Sequence, residues 1–231
     1  MATISSEEIN KQSDYIAFFD LDRTITPKIS GRVLARKAFK NGLMTSDEIF
    51  KAALLSLSYK LRIKDPVKIM SRMTLWVKGL PEEILNDLCV ESARSEILPS
   101  VWPEAVSELT MHKRNNASTV ILSSSIVPLC REIAENLGMD DIICTELESD
   151  GGYYTGRTDG QLCYGKEKAA RLLEYCKKNN SDPENTWYYG DSFSDLPVLS
   201  IVGHPVCVNP ERNLQKIATE KGWKILYWQY K

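Results

Sequence analysis

FFDLDRTIT, Phe18 to Thr26, governs how the rest of the chain is read. An apolar run that begins at Tyr15 stops at Asp20, a second carboxylate follows at Asp22, and a hydroxyl follows at Thr24. YIAFFD, Tyr15 to Asp20, is short, continuous and apolar, which suits a strand buried on both faces of a parallel sheet. Two carboxylates and a hydroxyl at the end of such a strand need a chemical reason.

Outward from that strand the pattern changes. From Gly31 to Leu98 it is helical, with about four helices and no strand signal. GRVLARKAFKNGL carries apolar residues at helix spacing. TSDE, Thr45 to Glu48, has the form of a capping box, and Ile49, Ala53, Leu57 and Leu61 follow four apart on one face. Asp65-Pro66 opens a further helix with Val67, Met70, Met73 and Leu80 on its apolar side and Gly79 at its end. Pro81 stands at a first helical position before EEILNDLCV.

After Pro103 strands return and alternate with helices. Ser118–Ser123 (STVILS), DIICTE, Thr186–Asp191 (TWYYGD), HPVCVN and WKILYW read as strands, and Asp150–Gly156 as a turn and hairpin arm. VPLCREIAENLG, stopped by Gly138, GKEKAARLLEYCKKN and NPERNLQKIATEKG read as helices. Such alternation implies an α/β fold, a Rossmann-like three-layer parallel sheet with helices on both faces and a helical cap inserted after the first strand. The expected division is 1–28 with 100–231 as the core and 29–99 as the cap, a separate lobe over the sheet edge.

The bulk properties narrow the partners. The 231 residues are 43% hydrophobic and 26% charged, with net charge −2. That supports one core and a small second lobe, and offers no electrostatic footprint for nucleic acid or a membrane surface. MATISSEEINKQSD has no basic n-region and no apolar h-region, so it does not read as a signal peptide, and no apolar run is long enough for a bilayer. Cys89, Cys130, Cys144, Cys163, Cys176 and Cys207 form no C-x-x-C pair and read as free buried thiols. A cytoplasmic protein is expected.

In open parallel sheets ligands bind beyond the carboxyl ends of the strands. Those ends bring Asp20, Asp22 and Thr24, then Ser123, then Asp191 with Asp195 four residues on, while Lys166 and Lys168 open a helix between them. Crowded carboxylates repel unless a cation lies among them. Hard oxygen donors without histidine or thiol favour Mg²⁺. Thr24, Ser123 and a lysine suit the oxygens of a phosphate. One carboxylate can attack phosphorus and a second can protonate the leaving oxygen and then activate water. His112 and His204 lie at no catalytic strand end, and the scattered tryptophans and tyrosines read as packing.

FFDLDRTIT, VILSS, the lysine before AARLL, and YYGDSFSD resemble, in order, the four motifs of the haloacid dehalogenase superfamily. The helical insertion after the first motif and GDSFSDLPVLSIVGHPVCVNP resemble its phosphoserine-phosphatase-like branch, subfamily IB. The resemblance implies a Mg²⁺-dependent phosphatase acting on a small phosphorylated metabolite through an aspartyl-phosphate. It implies Asp20 as nucleophile and Asp22 as acid/base whose backbone carbonyl reaches the metal. Thr24, Ser123 and Ser124 become phosphate-binding residues, as does Lys168, preferred over Lys166 by its register with Leu172. Asp191 becomes a metal ligand and Asp195 its supporting partner in the metal set. Arg23 receives no role.

The pattern departs from phosphoserine phosphatases at the substrate. Ile29 stands where those enzymes carry a glutamate, and Ser124 and Ser125 stand where they carry glycines. Arg72 approximately matches their cap arginine. An apolar Ile29 cannot pair an ammonium group, so phosphoserine is expected to be a poor substrate. Two alternatives share these residues: a non-catalytic phospholigand-binding regulator, and a phosphotransferase using the same aspartyl-phosphate.

Overall fold

The computed structural model describes residues 13–60, Ile69, Arg72 and 74–229. The N-terminal stretch 1–12 and the expected helix positions Leu61, Asp65, Pro66, Val67, Met70 and Met73 lie outside them, as does the side chain of Leu57.

Six parallel strands form one sheet in the order β3-β2-β1-β6-β7-β8. They are β1 (Tyr15–Phe19), β2 (Ala117–Ile126), β3 (Asp141–Thr145), β6 (Trp187–Gly190), β7 (His204–Val208) and β8 (Lys224–Leu226). Chain order runs outward from β1 to β2 and β3, then resumes on the other side at β6. The switch point therefore lies between β1 and β6, where a crevice opens at the carboxyl ends. The parallel sheet expected from the alternation is the sheet observed.

Strand periodicity assigns the faces. Ala17, Phe19, Ile121, Tyr189, Val206 and Val208 belong to one buried cluster. Ile16, Phe18, Val120, Leu122, Tyr188 and Cys207 belong to the other. The first face packs helices α4 (Pro103–Arg114) and α5 (Val127–Leu137), through Ala105, Leu109, Leu129 and Ile133. The second packs α6 (Lys166–Lys178) and α8 (Arg212–Lys221), through Leu172, Cys176, Leu214 and Ala218. A short helix, α7 (Leu196–Leu199), follows β6.

Between β1 and β2 lie α1 (Ser30–Lys40), α2 (Ser46–Lys60) and α3 (Glu82–Ser92), followed by one π-helical turn, Ala93–Ile97. The capping box at α2 forms, with Thr45 N–H donating to Glu48 at 2.8 Å and Glu48 N–H to Thr45 Oγ1 at 3.3 Å. Ala53, expected on the apolar side, is exposed; Ala52 packs inward with Ile49, a spacing of three instead of four. Leu85, Leu88, Cys89, Ala93 and Ile97 share a cluster with Phe19 and Ile121. Helix α3 thus shares a buried cluster with the sheet.

The hairpin has arms β4 (Leu147–Asp150) and β5 (Tyr153–Thr158), longer than its sequence signal. Its far arm is tied to the helical segment by main chain: Gly79 N–H donates to Tyr154, Tyr154 N–H to Leu80, and Glu82 N–H to Gly152. Gly156, with φ +84°, lies so close that an added Cβ would meet Lys78 Cβ at 2.9 Å. All six cysteines are free and buried. Among the described residues no helix is long and apolar enough to cross a membrane.

Candidate active site

Asp20 follows β1 directly, and its N–H donates to the Tyr189 carbonyl of β6 at 2.9 Å. Its side chain takes the even face of the strand, the face covered by α6. On that helix Lys168, Leu172 and Cys176 recur every four residues and are the buried stripe, whereas Lys166 is exposed. Lys168 Nζ is therefore delivered under the sheet's carboxyl edge. It donates to Asp20 Oδ1 (2.9 Å), Asp195 Oδ1 (2.8 Å) and Tyr188 Oη (3.0 Å), which uses all three of its hydrogens.

Asp191 follows β6, and GDSFSD winds back on itself. Ser192 donates its N–H (3.1 Å) and its hydroxyl (2.8 Å) to Asp195 Oδ2, while Tyr188 donates to Asp195 Oδ1 at 2.6 Å. Gly190 is required by close approach, since a Cβ there would meet Asp195 Cγ at 3.0 Å and Tyr188 Cε1 at 2.9 Å. Both Asp195 oxygens are occupied by donors. The Asp191 carboxylate, in contrast, receives no hydrogen bond from any described residue, although it is 4% exposed. Oxygens of Asp20, Asp191 and Asp195 lie within 4.8 Å of one another.

Asp22 is held differently. Ser30, first residue of α1, gives it an N–H (2.9 Å) and a hydroxyl contact (3.0 Å), and Ser30 Oγ also meets Ser125 Oγ at 2.9 Å. Thr24 Oγ1 is buried without a hydrogen-bond partner among the described residues. Ser123 is buried on β2, its Oγ accepting from Ser125 N–H at 3.3 Å. Ser124 is half-buried, with its carbonyl accepting from Thr145 Oγ1 at 2.9 Å. Ile29 is half-buried where α1 begins; Arg72 is helical and exposed. Arg23 is exposed and has φ +62°, a left-handed conformation uncommon outside glycine.

Tyr188 and Ser30 carried no motif signal, since each acts through contacts made only in the fold. For Tyr188 a signal existed in the period-2 alternation of β6, which puts it on the lysine's face. Its neighbour Tyr189 faces the other way, toward His112. That imidazole bridges Tyr15 Oη (3.0 Å) and Tyr189 Oη (2.8 Å), and burial pushes it down to about 4, so it is neutral.

Burial sets the charge states of the carboxylates. Desolvation raises Asp20 from 3.8 to about 7; Lys168 opposes this, while Asp195 and Asp22 add to it. Burial likewise raises Asp191 and Asp22, the latter against hydrogen bonds from Ser30. Asp195 is held below its ordinary range by Lys168, which outweighs burial together with donors from Tyr188 and Ser192.

The family profile for haloacid dehalogenase-like hydrolases matches residues 17–200. The chain belongs to this family. Among haloacid dehalogenase-like relatives it is similar to a probable phosphatase of Mycobacterium tuberculosis, 30% identical over 91% of this chain and 74% of that protein. It is also similar to a histidinol-phosphatase of Neisseria meningitidis serogroup C, 27% identical over 91% of this chain and 97% of that one. A solved structure of a Bordetella pertussis protein of unknown function superposes with TM-score 0.85 at 23% identity, covering 93% and 98% of the two chains. A phosphoserine phosphatase solved as a phospho-aspartyl intermediate analogue superposes with TM-score 0.68 at 17% identity, covering 93% of each chain. At those identities the two structures establish a shared fold.

The donor set of this haloacid dehalogenase-like site fits a hard divalent cation. Its oxygens are carboxylate oxygens, the Asp191 carboxylate is buried with no hydrogen bond or ion pair from any described residue, and the buried Lys168 ammonium pairs with Asp20 and Asp195. The pH dependence of metal-free protein follows with its sign. Between pH 3.8 and about 7 the folded chain keeps the Asp20 proton that the unfolded chain has lost, so stability falls as pH rises through that window. Asp191 and Asp22 act in the same direction. Asp195 acts oppositely, but only as pH falls below 3.8, and Lys168, raised above 10.5, does not titrate here. Chelated protein should therefore show a lower Tm at about pH 8 than at about pH 5, and millimolar Mg²⁺ should raise Tm more at the higher pH. A Mg²⁺ response independent of pH would contradict this charge assignment.

Proposed function

We propose that the chain is a Mg²⁺-dependent phosphatase that hydrolyses a small phosphomonoester through an aspartyl-phosphate on Asp20. That it is an enzyme, a phosphoric monoester hydrolase, follows from its family and its phosphatase-named relatives. The observation that carries the mechanism is Lys168 Nζ shared by Asp20 and Asp195 beside the unpaired Asp191.

In this reading an Asp20 oxygen attacks phosphorus. The P–O ester bond breaks, its electron pair stays on the departing oxygen, and that oxygen takes a proton from Asp22. Water then attacks the phosphorus of the aspartyl-phosphate and gives its proton to Asp22. The bond to Asp20 breaks, releasing orthophosphate. Thr24, Ser123, Ser124 and Lys168 hold the non-bridging oxygens, and the orphaned hydroxyl of Thr24 supports that role. Asp20, the Asp22 carbonyl and Asp191 would hold Mg²⁺, with Asp195 aligning Lys168 and the turn that carries Asp191. Bound Mg²⁺ would neutralise carboxylate and phosphate charge. Ser30 orients Asp22 from the first turn of α1, so residues 29–99 act as a cap whose position sets the acid/base.

The substrate is read as a small phosphorylated metabolite other than phosphoserine, because Ile29 offers no charge for an ammonium group. The test is phosphate release from a panel of phosphorylated metabolites with Mg²⁺ and with chelator. Chelator-sensitive release concentrated on one class is expected. Mg²⁺ binding with no release from any compound would overturn the catalytic reading.

A further inference from the structure

Ser30 and Ser125 stand 95 positions apart and meet beside Asp22. Ser30 is buried, and its Oγ lies 3.0 Å from Asp22 Oδ2 and 2.9 Å from Ser125 Oγ. Its N–H, the first of α1, donates to Asp22 Oδ1 at 2.9 Å, because Ile29 at the N-cap has no side-chain oxygen to offer. Ser30 has one hydroxyl hydrogen and two oxygens within its reach. When the Asp22 carboxylate takes that hydrogen, the Ser125 hydroxyl supplies the one between the two serines. Ser125 is half-buried and anchored in turn, its N–H donating to Ser123 Oγ at 3.3 Å. It lies where the register of β2 with β3 shifts, between Leu122 and Ile126, an irregularity of the kind that re-aims side chains beside a site. A glycine, the residue that phosphoserine phosphatases carry here, keeps the N–H and loses the hydroxyl contact.

We propose that Ser125 is a positioning residue for the acid/base: through Ser30 it fixes the rotation of the Asp22 carboxyl toward the departing ester oxygen. This rests on the phosphatase reading and deepens it, since Ser125 acts through Ser30 and Asp22 and takes no part in holding phosphate or metal. The carboxyl is held at Oδ1 by a main-chain N–H and at Oδ2 by a hydroxyl, and it keeps one orientation only while that hydroxyl is itself held. A serine side chain has three staggered wells, and the contact from β2 favours the one that faces Asp22. The same contact joins the first helix of the inserted segment to the sheet, so Asp22 is aligned when α1 is seated against β2. Losing the alignment costs most where the departing oxygen most needs a proton.

The experiment compares kcat/KM for para-nitrophenyl phosphate, whose leaving group departs readily as an anion, and phenyl phosphate, whose leaving group has nearly the same shape and is far more basic. In an aspartyl-phosphate mechanism kcat/KM reports the first step, in which Asp22 gives up its proton. Ser125→Ala should lower it about tenfold for phenyl phosphate and less than about threefold for para-nitrophenyl phosphate. Ser125→Thr restores a hydroxyl and should recover most of the loss. Ser30→Ala should show the same leaving-group pattern, and adding Ser125→Ala to it should cost little more, because the two act through one contact. A merely structural role would slow both esters alike. Equal loss on both esters, no loss, or losses that multiply in the double variant would overturn the proposal while leaving the phosphatase reading standing. No Mg²⁺-dependent phosphate release from either ester by the wild-type chain would instead overturn both.

Discussion

Asp20→Asn should lower turnover by at least about a thousandfold while leaving the chain folded. The amide has nearly the carboxylate's shape and can still accept from Lys168, which donates to Asp20 Oδ1 at 2.9 Å. It has no charged oxygen to attack phosphorus. The stability effect should run the other way. Burial holds Asp20 up at about 7, so its ionised form is disfavoured in the fold at higher pH. Metal-free Asp20→Asn should therefore melt above wild type near about pH 8, and the two should converge near about pH 5, where wild-type Asp20 already carries its proton. Phosphate release and melting curves on the same samples check both halves. Wild-type turnover in this variant would remove Asp20 from the mechanism.

Lys168→Met should be the most damaging change to stability and should also slow the reaction. Lys168 is 3% exposed and is the one buried cation shared by Asp20 and Asp195. Methionine keeps the stem but strands two buried carboxylates, and breaking such a pair from one side costs about 3–5 kcal/mol. The loss should be smaller at acidic pH, because protonated Asp20 no longer needs the counter-charge. The rate should fall by about a hundred- to a thousandfold, the usual scale for losing a donor aimed at a transferring group. Urea unfolding at two pH values and steady-state kinetics test this. A pH-independent stability loss would show that Lys168 serves Asp195 and the turn, and not Asp20.

These expectations draw on residues of two kinds. Asp20, Asp22, Thr24, Ser123 and Asp191 were legible because each follows an apolar run whose length and continuity mark a buried strand, and parallel strands present their carboxyl ends together. The capping box at Thr45 and the Gly138 helix stop, at φ +63°, were legible for the same local reason. Ala53 was misplaced because four-residue spacing and three-residue spacing both fall on one helical stripe, and only the neighbour that α2 meets chooses between them. The packing of α3 into the sheet's core was invisible, since an amphipathic helix states that it has a buried face without stating what covers it.

Local pattern alone therefore settles the α/β order, the inserted helices and the carboxylates at the strand ends. Alternation and helix spacing are properties of neighbouring residues, readable without any fold. The fold alone brings Lys168 to Asp20 across 148 positions, seats Tyr188 against both Lys168 and Asp195, and hands Asp22 to Ser30. It also leaves the Thr24 hydroxyl and the Asp191 carboxylate buried with no hydrogen-bond partner among the described residues, and turns Arg23 outward on a left-handed backbone. Those are outcomes of which faces meet and what solvent is excluded, and both depend on contacts between segments far apart in the chain.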